Sequence, residues 1–138
     1  MSRIPKQVQP VVYLLAGIAT VVSLVRLAVG SHCRPIELSG FPSPSGRLRA
    51  VVYERDCGSR GDTTTRVSLV PSGMPAFTDS DLVLVLAGSE GRGFGGGPEV
   101  RVVWSSDSLL SLDFQPSSKV VASRSSRLGV AIRLKSAL

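Results

Sequence analysis

From Val11 to Gly30 nearly every position is apolar, and beyond that run apolar and polar residues alternate with a period of two. The first pattern predicts a helix about twenty residues long, and the second predicts strands with one face buried and one in water. The alternation is cleanest from Arg127 to Lys135, where Leu128, Val130, Ile132 and Leu134 are expected to face a core. Val100, Val102 and Trp104 repeat it against Glu99 and Arg101, and Leu110, Leu112 and Phe114 against Ser111 and Asp113. The polar link Ser105 to Ser108 joins those two as a hairpin. Further strands are expected over Arg47 to Arg55, Arg66 to Val70, and Lys119 to Ser123, the last at or next to a sheet edge. Leu82 to Ala87 is apolar on both faces, as a strand covered on both sides would be.

Helix signals are nearly absent after the first segment, so the expected fold is all-β: a single small antiparallel meander or sandwich after one N-terminal hydrophobic helix. Ser45 to Tyr53 also lies faintly over Ser106 to Phe114, each a tight turn followed by a strand that ends in an aromatic.

Charge assigns the N-terminal segment a role. Arg3 and Lys6 precede the apolar run, and no acidic residue occurs before Glu37. Two readings follow. In one, residues 1–30 are an uncleaved signal anchor whose Arg26 snorkels to the interface; in the other, they are a signal peptide cleaved after Ala28-Val29-Gly30. Arg34, Arg47 and Arg49 follow the run, so charge alone leaves its orientation open. Residues 31–46 then read as a membrane-proximal linker and 47–138 as the β-domain. The localisation expected is a membrane-anchored extracytoplasmic domain, or a secreted one after cleavage.

Setting aside Arg3, Lys6 and Arg26 lowers the net charge from +6 to +3. The remaining charges are scattered, with no basic run and few aromatic stacking surfaces, which excludes nucleic acid as the expected partner. Cys33 and Cys57 are the two cysteines of the chain, an even count suited to an oxidising compartment, and a disulfide between them is expected.

Candidate chemistry is thin. Gly91, Gly93 and Gly96 form a G-x-G-x-x-G after an apolar strand, but Pro98 and another strand follow where a dinucleotide site needs a helix N-terminus. His32 is the single histidine, next to the apolar run, and makes a poor general base. Two cysteines and one histidine fall short of a closed zinc site. Asp79 and Asp81, with Glu90 or Asp62, offer oxygen ligands without a spaced calcium loop, and turn capping is the plainer reading. Glu54 and Asp56 are read as surface ion-pair partners of Arg49, Arg55 and Arg60. No catalytic, cofactor or metal residue is therefore assigned.

The block from Ser43 to Gly58, with Arg55-Asp56-Cys57-Gly58 at its end, then Thr63 to Val70, then Val100-Arg101-Val102-Val103-Trp104, resembles a family of small uncharacterised bacterial exported or membrane-anchored proteins. The resemblance covers residues 33 to 115 and implies an N-terminal hydrophobic segment, a β-domain and an extracytoplasmic address, with no known activity. The glycine-rich stretch after Ala87 departs from the family pattern. The functional expectation is a non-enzymatic binding or structural module of the cell envelope, held to the membrane by its N-terminal helix and able to engage an envelope protein. The alternative is a small carboxylate-based hydrolase or ligand-binding enzyme using Asp56, Asp79 or Asp81.

Overall fold

The computed structural model describes residues 9–28, 33–56, 63–88 and 96–137. They fall into two compact units, an N-terminal one that holds a helix and a second, from Cys33 onward, that holds every strand.

Helix α1 spans Gln9–Ala28. Pro10 suits a first turn, where its missing N–H is no loss, and the Thr20 hydroxyl donates back to the Ala16 carbonyl. Val11, Val12, Leu14, Leu15, Ile18, Val21, Val22 and Leu24 are all exposed. Among the described residues no helix is long and apolar enough to cross a membrane. Arg3, Lys6 and the Val29-Gly30-Ser31 stretch of the expected leader lie outside the described residues.

The described residues of the second unit form nine strands: β1 Arg34–Pro42, β2 Leu48–Asp56, β3 Thr64–Pro71, β4 Leu82–Ala87, β5 Val100–Ser106, β6 Leu109–Phe114, β7 Lys119–Ser123, β8 Ser126–Arg127 and β9 Val130–Ser136. They form a five-stranded sheet in the order β1-β2-β3-β4-β7 and a four-stranded sheet in the order β5-β6-β9-β8. Apolar side chains from both fill one core: Ala50, Val52, Val67, Leu69, Leu84 and Leu86 from the first sheet meet Leu110, Leu112, Phe114, Val130 and Ile132 from the second. This is a sandwich, and it bears out the all-β expectation.

Alternation decides which residues take part. On β2, Ala50 and Val52 point into the sandwich, while Val51 and Tyr53 point the other way into a smaller cluster with Val70, Ala76 and Leu82. The segment after Pro71 covers that outer cluster, and Phe77 stands edge-on to the Tyr53 ring at 5.1 Å between centroids. Four consecutive residues of β4, Val83 to Leu86, are buried, so a strand apolar on both faces is covered on both sides. β7 forms the sheet edge, as read.

Four expectations are corrected. Most of the expected linker 31–46 belongs to the sheet: Arg34–Pro42 is the edge strand β1, paired with β2 from Arg34↔Asp56 to Pro42↔Arg49 and bulged between Glu37 and Ser39. The long strand Arg127 to Lys135 is a hairpin. Leu128 and Gly129 both take positive φ, 50° and 76°, the twist a two-residue turn between right-handed strands requires. Leu128 is consequently exposed instead of buried, and Leu134 is 37 % exposed. Third, pairing is not wholly antiparallel, because β9 lies parallel to β6. The chain leaves the four-stranded sheet after β6, forms β7 in the other sheet and returns, and that excursion permits two parallel neighbours. Fourth, Glu54 is no surface residue. It sits on β2 in phase with Ala50 and Val52 and is 1 % exposed.

Candidate functional site

β1 ends one side of the five-stranded sheet, and β5 ends the same side of the other. Between them opens a cleft of about 400 Å³. Its walls come from Leu38, Ser39 and Phe41 of β1, Val52 of β2, Thr65 of β3 and the Pro98-Glu99-Val100 entry to β5. Leu38 occupies the β1 bulge, where an extra residue re-aims the side chains around it, and it packs against the core together with Phe41 and Val100.

Each end of the cleft is closed by a hydrogen bond. At one, the Trp104 indole N–H donates to the Phe41 carbonyl at 3.0 Å and joins the two sheets where β1 finishes. Trp104 is half-buried against the core, which agrees with a core assignment. At the other end the Thr65 hydroxyl donates to the Pro98 carbonyl at 2.6 Å. Thr65 pairs across the sheet with Glu54, so a buried hydroxyl and a buried carboxyl stand side by side. The chain passes over them as Gly97, where a Cβ would lie 2.7 Å from Thr65 Oγ1 and 3.2 Å from Glu54 Oε1. Only glycine lets the backbone come this close.

Chemically the cleft accepts an apolar group against Leu38, Phe41, Val52 and Val100, with the Ser39 hydroxyl and the Glu99 carboxylate exposed at its mouth to take polar partners.

The carboxylates singled out in the sequence are not gathered there. Asp79 faces Arg66 at 3.2 Å and Arg55 at 3.9 Å, and Asp81 faces Arg127 at 2.6 Å. Both belong to the short 3₁₀ turn Asp79–Asp81 that enters β4, where the Thr78 hydroxyl donates to Asp81. Arg127 also donates to the Leu69 carbonyl at 2.8 Å, so Asp81 orients a guanidinium that ties β8 to β3. Asp56 ends β2. Of the arginines expected near Glu54 and Asp56, Arg49 pairs with Glu37 at 3.3 Å, and Arg60 lies outside the described residues. His32, Asp62, Glu90, Gly91 and Gly93 lie there too. Among the described residues no three His, Cys, Asp or Glu side chains come together as a metal set.

Cys33 stands immediately before β1 and is not a free thiol. Cys57 lies outside the described residues. The cleft residues Leu38, Phe41, Thr65 and Gly97 carried no sequence signal of their own, because the site exists only once β1 is recognised as a strand.

The geometry defines a two-sheet β-domain with a cleft between β1 and β5. Comparison of the chain with protein-family models, with curated proteins and with solved structures finds no match.

Proposed function

We infer that this chain is a membrane-associated extracytoplasmic β-domain that acts as a non-enzymatic binding module and receives an apolar group of an envelope component between β1 and β5. The observation that carries the reading is the cleft itself, where Leu38, Phe41, Val52 and Val100 offer apolar contact beside the polar groups of Ser39, Thr65 and Glu99. The address rests on the basic lead, the apolar run and the paired cysteine count in the sequence. The resemblance to small exported or anchored bacterial proteins belongs to the same proposal. A Cys33–Cys57 disulfide belongs to the same proposal and suits an oxidising compartment; Cys33 is not a free thiol, and the two are the cysteines of the chain.

The test is in-cell photo-crosslinking of the full chain from two positions, Ser39 at the cleft mouth and Ser80 on the 3₁₀ turn. A discrete adduct from Ser39, absent from Ser80 and lost in Leu38→Glu, is expected, in a membrane fraction whose C-terminal tag is reached from outside the cytoplasm. Equal labelling from both positions would overturn the binding site. A tag protected in intact spheroplasts and digested after lysis would overturn the address.

A further inference from the structure

The opposite side of the sandwich is open in a different way. β8 is two residues long and covers β9 only at Val130 and Ala131, after which the Ile132 amide donates to the Ser125 carbonyl at 2.9 Å. From Arg133 to Ser136, β9 has β6 on one side and, among the described residues, no strand on the other. Backbone groups alternate sides along a strand, and the Ala131 and Ala137 amides donate toward β6, to Ser108 and Phe114. The N–H and C=O of Leu134 and the N–H of Ser136 therefore face the open edge.

Across the gap lies β7, the edge of the other sheet, which runs through Arg124 and Ser125 directly into β8 and so flanks the same opening. Val120 pairs with Leu86, whose side chain is in the core, so Val120 points inward too; yet it is 40 % exposed, facing the side where Leu134 is 37 % exposed. Two inward-pointing apolar side chains are thus wet because the four-stranded sheet lacks a strand beside β9.

The rim is basic. Arg133 and Lys135 stand on the outer face of β9 and Lys119 begins β7, all three exposed. Asp113 is the acidic neighbour, placed between Arg101 and Lys135 in the cross-strand register.

We propose that the free edge of β9 is a docking site for an acidic extended segment of a partner protein, which adds as a strand beside Arg133–Ser136. Its backbone pairs with Leu134 and Ser136, an apolar side chain covers Leu134 and Val120, and its alternate acidic side chains meet Arg133 and Lys135. A second copy of this edge is a poor occupant, because antiparallel self-pairing about Leu134 sets Arg133 against Lys135 of the other copy. The site lies away from the β1–β5 cleft and does not depend on it.

The test uses the full chain in lipid nanodiscs and a fluorescent heptapeptide, Asp-Val-Glu-Val-Asp-Val-Glu, read by anisotropy. Saturable binding is expected, together with slowed hydrogen exchange at Leu134 and Ser136. Arg133→Glu with Lys135→Glu should weaken it about tenfold or more and transfer preference to the peptide with lysine at its acidic positions. Ser39→Trp, in the cleft, should leave it unchanged. No binding, equal binding to the charge-reversed chain, protection of the edge by self-association, or charge-dependent capture only by empty anionic vesicles would each overturn the proposal.

Discussion

The backbone amide of Ser45 donates to Oδ1 of Asp107 at 2.8 Å, joining the turn between β1 and β2 to the turn between β5 and β6. The two turns whose sequences faintly repeat each other thus meet at one end of the sandwich, one from each sheet. The hydrogen bonds from Ser45, aided by the charge of Arg47, hold the Asp107 carboxyl below its ordinary value of 3.8. A carboxyl whose pKa is lowered by folding stabilises the fold above its unfolded value, and that contribution disappears as pH falls through the folded value. The melting temperatures of wild type and Asp107→Ala should therefore differ at neutral pH and draw together as the pH falls below 3.8 and through the lowered folded value. A gap that stays constant across an acid titration would show that the ionised carboxylate is not what matters.

Ile132 is 7 % exposed within the core, whereas Arg133 is exposed on the outer face. Ile132→Asp should cost about 3 kcal/mol or more, Arg133→Asp less than about 1, and Leu134→Asp a value between, because its site is already partly wet. Urea unfolding of the three variants ranks them directly.

Gly97→Ala should destabilise by about 1 to 3 kcal/mol, since the added methyl meets Thr65 Oγ1 at 2.7 Å, inside a contact that a buried pair leaves no room to relax. Pairing it with Thr65→Ser, which keeps the hydroxyl, should not restore stability; Thr65→Ala, which removes that hydroxyl, should lessen the added penalty. Chemical denaturation of the double variants separates the two outcomes.

Leu128 takes φ of 50° at a position 48 % exposed. Leu128→Asn relieves the backbone while giving up little buried surface, so the melting temperature should rise, by a gain of about 0.5 to 1 kcal/mol. A fall in the melting temperature would mean that the leucine side chain contributes more than its conformation costs.

Non-reducing mass spectrometry should recover Cys33 and Cys57 in one crosslinked peptide. In the chain-entropy description, closing a loop of about 25 residues contributes roughly 3 kcal/mol, a large share for a domain this small. Free alkylation of both thiols before any reductant is added would remove the bond and with it much of the argument for an oxidising compartment.

How far the sequence could be read depended on whether each strand carried its own signature. Val100 to Trp104 and Leu110 to Phe114 show clean alternation and a short polar turn, and both became strands of one hairpin. β1 escaped because Pro35, Gly40, Pro42 and a bulge break its period, features an edge strand tolerates and a central one does not. The β8–β9 hairpin escaped for the opposite reason. A two-residue turn keeps the alternation in phase, so Leu128 reads as one more inward residue although it sits at the tip. The cleft was illegible because it joins residues some sixty positions apart, as in the contact of Trp104 with Phe41.

β9 is the last of the described strands, yet it occupies the interior of the four-stranded sheet, between β6 and β8. A polypeptide that emerges from its N-terminus can assemble the β1-to-β4 meander early, from neighbours in sequence, whereas the second sheet must wait for β9. Until then Leu110, Leu112 and Phe114 have no companion strand at one flank. The order β5-β6-β9-β8 thus ties completion of the second sheet to Val130–Ser136, and a chain halted before those residues keeps one flank of its core unfinished.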